Sequence, residues 1–329
     1  MRKTFLFLLG FLILPVLVFA ETYWGGELPD ISNTQLKAEV SVTGDVYTYS
    51  YTIISGSSNT GQIWSFDVDI KQPEGGIELS GEGLVNGSGY RRHSAAQVLS
   101  EPTTPKMIPV GLWSPPNWNS GLSVTGNAGW GADDDQDMIM PGQTLSGLRM
   151  NSRGLPGIKN FQIDPDIVPP PSGDTTESVR ELENFLGLTE EEMDKLTEDE
   201  INDMVNKKVD DIEGKVAFTG KTLGPTAPPA DFKPLAFIDY IISLKHEAVA
   251  LGWIKNQGII NSLDVKLENA KKAIEKNNIR PAKNMLEAFI NEVEAQGCAS
   301  YEKCPEGKHI TPEGYGLLKY NAEYLLERL

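Results

Sequence analysis

The chain has 329 residues, 40% of them hydrophobic, with 46 Asp and Glu against 29 Lys and Arg, a formal net charge of −17 at pH 7. So acidic a protein is repelled by a phosphate backbone, which excludes nucleic acid as a partner on electrostatic grounds. The apolar share is that of a folded protein, the length suits two domains, and 32 Gly with 21 Pro imply many turns and some linker.

The chain opens MRKTFLFLLGFLILPVLVFA, where Arg2 and Lys3 precede an apolar run from Phe5 to a small-residue site at Val18-Phe19-Ala20. This is the pattern of a secretory signal peptide over residues 1–20, with cleavage before Glu21. The run is broken by Gly10 and Pro15 and is shorter than the roughly 20 apolar residues a membrane span needs. Removing it takes away two positive charges, so the expected exported chain carries −19 (−17 − 2) and keeps no membrane span.

Residues 21–167 read as strands separated by turns. In LKAEVSVTGDVYTYSYTII, Val40 and Val42 alternate with polar neighbours, Gly44-Asp45 reverses the chain, and Tyr47, Tyr49 and Tyr51 fall on one face, which predicts a hairpin. Further strands are expected at 61–70, 107–114, 121–126 and 144–152, and several short strands with Gly, Pro and Asn between them predict an antiparallel β-sandwich. Five of the six Trp lie here, and Trp113, Trp118 and Trp130 fall in loop-like sequence. Exposed rings there would suit sugar rings; buried ones would fill the core. In GADDDQDMIMPG, Asp133, Asp135 and Asp137 alternate as the first calcium ligands of an EF-hand do, but Met138 and Thr144 replace the required Gly and Glu. An ordinary acidic turn and no cofactor are expected here, with calcium, whose remaining ligands would come from elsewhere, as the alternative. His93 in YRRHS has no partner in a recognisable nucleophile motif, because NGSGY at 86–90 lacks the first glycine of an elbow.

Residues 168–234 read as an acidic linker bounded by the Pro-rich strings IVPPPSGD and TLGPTAPPADFKP. Between 174 and 215 stand 15 acidic and 5 basic residues, a net −10. Thr189 with Glu192, and Thr197 with Glu200, have capping-box spacing and predict two short helices.

Residues 235–329 have helical period. Ile260, Leu263, Leu267, Ala270 and Ile274 step by three and four, as do Ala282, Leu286, Phe289 and Val293, then Leu318, Ala322, Leu325 and Leu329. With an earlier helix over FIDYIISLKHEAVALGW, the expectation is an antiparallel four-helix bundle. His246-Glu247 lacks the second His of a zinc protease, since position 250 is Ala. Cys298 and Cys304 are the only thiols; in an exported chain five intervening residues favour a disulfide, while zinc with His309 would supply only three ligands where four are usual.

The strings GWIKNQGIINSLDVKLENAKKAIEKNN, AKNMLEAFINEVEAQ and GKHITPEGYGLLKYNAEYLL, in that order, resemble the FIMAH-type module at the C-termini of many secreted bacterial proteins and hydrolases, over about residues 235–329. The chain departs from that form by inserting CASYEKCPE before Gly307. The string PGQTLSGLRMNSRGLPGI at 141–158 is similar to the last strands of Ig-like modules of secreted bacterial proteins. The module's resemblance implies a non-catalytic role and names no ligand; for an exported two-domain chain of this architecture the expectation is a bacterial secreted or periplasmic protein that interacts with an unidentified protein or glycan at a cell surface. Carbohydrate binding through the Trp-rich loops is the alternative, and a hydrolase with dispersed carboxylates the third.

Overall fold

The structure is a computed structural model and describes residues 22–23, 26–70, 84–85, 110–123, 126–168, 170 and 176–329. The expected signal peptide at 1–20, His93 and the 86–90 string lie outside the described residues. The chain divides into two compact units, one of residues up to Leu28 with Val168–Val209, the other of Pro29–Ile167 with Asp210–Leu329.

The first unit holds the short antiparallel pair β1 (Thr22–Tyr23) and β2 (Gly26–Glu27), then α1 (Thr176–Leu186), α2 (Glu190–Met193) and most of α3 (Glu198–Val216). Both expected capping boxes form: the Thr189 and Thr197 amides donate to Glu192 and Glu200 at 2.9 and 2.8 Å. Each satisfies a helix-end donor that has no intrahelical partner. Phe185 and Met193 are buried, and the Lys208 ammonium lies 5.5 Å from the Phe185 ring centre.

In the second unit, β3 (Thr34–Thr43) and β4 (Val46–Ser55) pair in register from Thr43↔Val46 to Thr34↔Ser55. Gly44 in their turn has φ +63°, the left-handed region that such two-residue turns require. There follow β5 (Ile63–Asp69), β6 (Leu84–Val85), β7 (Val110–Trp113), β8 (Trp118–Ser123), β9 (Asn127–Ala132), β10 (Thr144–Ser152), β11 (Leu155–Pro165) and β12 (Phe218–Thr226). Strand order is β3-β4-β10-β7 in one sheet and β12-β11-β5-β9-β8-β6 in the other, antiparallel except for the β6–β8 pair. The sheets face each other through a buried aromatic cluster. The Tyr51 ring on β4 lies 5.2 Å from Phe66 on β5 and 5.6 Å from Trp130 on β9, and Phe66 stacks on Trp130 at 5.3 Å. Such packing provides both large apolar burial and favourable ring geometry.

The expected linker is corrected in one stretch: Phe218–Thr226 is a sheet strand, paired with β11 from Leu155↔Thr226 to Ile163↔Phe218. Pro225 concealed it, yet an edge strand tolerates a residue that cannot donate to the ladder.

The helical residues form α4 (Pro234–Ala250), α5 (Gln257–Glu275), α6 (Ile279–Gln296) and α7 (Pro312–Arg328). Neighbouring pairs are α4 with α5, α5 with α6, α6 with α7 and α4 with α7, around Ile241, Leu263, Leu286, Phe289 and Leu318. A separate core for residues 235–329 is not what forms, because α7 also packs on β3, β11 and β12 and one apolar cluster runs through sheets and helices. The contact is close: a Cβ on Gly316 would come 2.1 Å from Val40 Cγ1. It also satisfies polar groups of the sheets. β3 ends its sheet, so alternate backbone groups on its outer side lack a strand partner. The Ala38 amide donates to Glu313 Oε1 at 3.0 Å, and Asn321 Nδ2 donates to the Pro156 carbonyl at 2.8 Å.

Candidate functional site

The six-stranded sheet has one face in the aromatic core and another that carries polar side chains. Phe66 and Val68 of β5 are buried, so the intervening Asp67 and Asp69 project to the opposite face. On β11, Phe161 and Ile163 are buried while Asn160 and Gln162 are exposed; on β12, Thr219 and Lys221 are exposed. Register then sets these side chains in rows across the strands. Thr219 opposes Gln162, which opposes Asp67; two residues along, Lys221 opposes Asn160, and Asp69 opposes Asn127 of β9. Together they line a groove of about 510 Å³, within the range of small-ligand sites.

One row along on the same face, where Asp164 of β11 opposes Ser65 of β5, lies a buried carboxylate. Asp164 accepts from Gln162 Nε2 at 2.7 Å and from Ser65 Oγ at 2.9 Å. Burial raises the Asp164 carboxyl above its ordinary range, and those two hydrogen bonds partly offset the rise. Glu213, in the last turns of α3, is pushed up to about 7 by burial, then by the neighbouring charges of Asp164 and Asp210. A carboxyl that keeps its proton near neutrality has the property a general acid needs, but Glu213 is not among the residues lining the groove. On the core side of β11, burial lowers the Lys159 ammonium to about 8, with Asp69 acting against the fall.

The Trp residues, for which a buried core role was set against a sugar platform, stand elsewhere. Trp130 is 0% and Trp118 2% exposed, and Trp113 is half-buried. Trp118 Nε1 donates to the Asp137 carbonyl at 3.0 Å and Trp130 Nε1 to the Trp113 carbonyl at 2.9 Å, which satisfies each buried N–H. Trp118 and Trp130, so enclosed, leave no face for stacking on a sugar, and without them Trp113 makes no platform of three rings. The loop-like sequence misled because Trp118 and Trp130 belong to β8 and β9, whose glycines lack the alternation that marks a strand.

Asp135 and Asp137 bound a single 3₁₀ turn after β9, and Asp137 Oδ1 accepts from Asn117 Nδ2 at 2.8 Å. Among the described residues no three His, Cys, Asp or Glu side chains form a group able to hold a metal, so Asp133, Asp135 and Asp137 do not make a calcium site in this arrangement, nor Cys298, Cys304 and His309 a zinc site. The cysteines are instead joined, with Sγ–Sγ 2.00 Å. Their loop carries Tyr301, whose hydroxyl donates to Glu313 at 2.7 Å and whose amide donates to Glu39 on β3 at 3.1 Å. The Lys37 ammonium lies 4.9 Å from the same ring. The loop is therefore a clasp between α7 and the sheet edge. The buried Lys245 makes a structural ion pair with Asp264 Oδ1 between α4 and α5, and His246 Nε2 stands 3.4 Å from the same Oδ1. Sequence reasoning passed over Asn160, Gln162, Thr219 and Lys221; the alternation in Asn160-Phe161-Gln162-Ile163 was the available signal. Among the described residues no helix is long and apolar enough to cross a membrane.

No protein-family model matches the chain, and no curated protein matches it. Among solved structures it is similar to an uncharacterized protein from Nocardia farcinica whose crystal structure reveals an immunoglobulin-like fold, with 10% identity over 44% of this chain and 91% of that one and a TM-score of 0.24. So distant a likeness carries no weight for function, and the two-sheet architecture rests on the strand pairing itself.

Proposed function

We propose that this chain is an exported binding protein, acting outside the cell or at its surface without catalysing a reaction. The observation that carries the reading is the polar groove on the six-stranded sheet. Its exposed walls offer amides, carboxylates, a hydroxyl and an ammonium held on paired strands, a rigid base that lowers the ordering cost of binding. Asp67 and Asp69 project side by side from one strand rather than facing each other across a cleft, which suits holding a ligand better than acid–base cleavage of one. Export rests on the basic start, apolar run and small-residue site of residues 1–20. The FIMAH-like reading of residues 235–329 as a helical bundle, and the Ig-like reading of the sandwich, belong to the same proposal; they agree with a non-catalytic role.

The test uses the chain beginning at Glu21, applied in parallel to immobilised glycans and peptides, with product analysis of whatever is retained. Saturable retention of an unaltered ligand, weakened by Gln162→Ala, is expected. Turnover of the retained ligand, or retention of nothing, overturns the reading.

A further inference from the structure

We infer that the groove takes a neutral, hydroxyl-rich glycan chain, laid across strands β5, β11 and β12; this rests on the binding reading above and deepens it. The first ground is hydrogen-bond polarity. A sugar hydroxyl both donates and accepts, so a site for several of them needs walls of both kinds. The row Thr219, Gln162, Asp67 runs hydroxyl, carboxamide, carboxylate, and the row beside it begins ammonium, carboxamide with Lys221 and Asn160. Carboxylates only accept and the ammonium only donates, while amide and hydroxyl do both. Neighbouring strands lie about 4.8 Å apart, so each row presents partners at regular intervals, as a chain of repeating hydroxyls requires.

The second ground is preorganisation. Gln162 is exposed to the groove, yet its Nε2 already donates to the buried Asp164, which Ser65 holds from the other side. This holds the carboxamide with its nitrogen toward Asp164 and Oε1 turned away from it, and leaves one N–H for an acceptor. Asp164 thereby acts as a positioning residue in the row beside the site. The third ground is charge. Asp67, Asp69 and Lys221 give the walls a net formal charge of −1, and the chain as a whole carries −17, so a polyanionic ligand is repelled. A neutral chain escapes that penalty, and the cationic peptide in the test below decides between it and a cationic ligand.

The test is retention of the Glu21–Leu329 chain on immobilised cellohexaose, xylohexaose, chitohexaose and mannohexaose, with a cationic peptide and a sulfated glycan alongside, followed by calorimetry on the tightest neutral ligand. Affinity should change less than about twofold between about 0.05 M and 0.5 M salt, because no net charge is neutralised. Gln162→Ala and Thr219→Ala should each weaken it by about tenfold, the worth of one well-placed hydrogen bond; Thr219→Ala should leave the unfolding curve unchanged, while Gln162→Ala, which also takes a hydrogen bond from the buried Asp164, is assayed where its own unfolding curve shows it fully folded. Asp164→Asn should weaken it too, and Gln162→Ala should remove that effect, which a merely structural role for Asp164 would not do. Retention of the cationic peptide or sulfated glycan alone, with steep salt dependence, overturns the glycan inference but leaves the binding reading intact. A neutral glycan bound equally by all groove variants overturns it as well, since the site then lies elsewhere. Retention of no probe at all sinks this inference, and only failure on the wider arrays sinks the binding reading.

Discussion

Replacing Glu313 with Ala tests the joint between helices and sheets. The Glu313 side chain is buried, 4% exposed, and its carboxylate accepts from the Ala38 amide at 3.0 Å and the Tyr301 hydroxyl at 2.7 Å. Truncation strands both donors. A buried backbone N–H left unmade costs about 1–3 kcal/mol, and Tyr301, half-buried, recovers part of its loss from water. We therefore expect Glu313→Ala to lose about 3 kcal/mol and Glu313→Gln, which keeps an acceptor for Ala38, about 1 kcal/mol. The assay is urea unfolding followed by tryptophan fluorescence, which reports mainly on the sandwich, and by far-ultraviolet ellipticity, which reports mainly on the helices. Because one apolar cluster runs through both, the two probes should shift together in a single transition. A Glu313→Ala stability within about 0.5 kcal/mol of the parent, or separation of the two probes in either protein, would refute the shared core.

Replacing Cys298 and Cys304 together with Ser should cost about 2 kcal/mol from the freed loop in the chain-entropy account, and calorimetry with and without reductant on the parent should reproduce it. Glu213 has its folded value raised from 4.5 to about 7, so its favourable contribution is present below about 4.5 and lost as pH climbs through about 7; Glu213→Gln should flatten that fall in a pH series of unfolding midpoints. Gly316→Ala should destabilise by about 1–3 kcal/mol through its clash with Val40, and Val40→Ala, which removes the clashing methyl group, should make the double variant more stable than additivity predicts. Limited proteolysis within residues 176–209 should leave fragments that co-elute in gel filtration, because 29–167 and 210–329 share one compact unit; fragments that separate without denaturant would show two independent domains.

Much of this was legible where local chemistry decides structure. The Gly44-Asp45 reversal, the alternating Tyr49 and Tyr51, the threonine-glutamate boxes and the steps of three and four through Leu263, Leu267 and Ala270 are short-range signals, and the elements stand where they predict. What escaped depends on partners far along the chain. β12 reads as a linker because Gly224 and Pro225 weaken its strand pattern, and only β11, some sixty residues earlier, makes it a strand. The groove escaped for the same reason: the alternation around Gln162 marks a polar face, but Gln162 and Asp67 are close only through register, which no spacing along the chain gives. The Trp residues were visible, but whether a ring is wet is decided by the opposite sheet.

Helix α7 shows why the helical tail and the sandwich cannot be read apart. By residue type alone, Glu313 and Asn321 would be placed in water, yet both are buried, as are Gly314 and Gly316. A carboxylate and a carboxamide would be costly there unless something offered hydrogen bonds, and the sheets offer the Ala38 amide and the Pro156 carbonyl. An open edge strand is in turn a liability unless something covers it. Each feature answers the other's unmet hydrogen bonds, with glycine at 316 allowing the approach and the disulfide loop bringing Tyr301 to complete the Glu313 shell. The polar residues of α7 are thus as much part of the core as its leucines, and the groove on the far face of the sheet stands on a base that the helices brace from its edge.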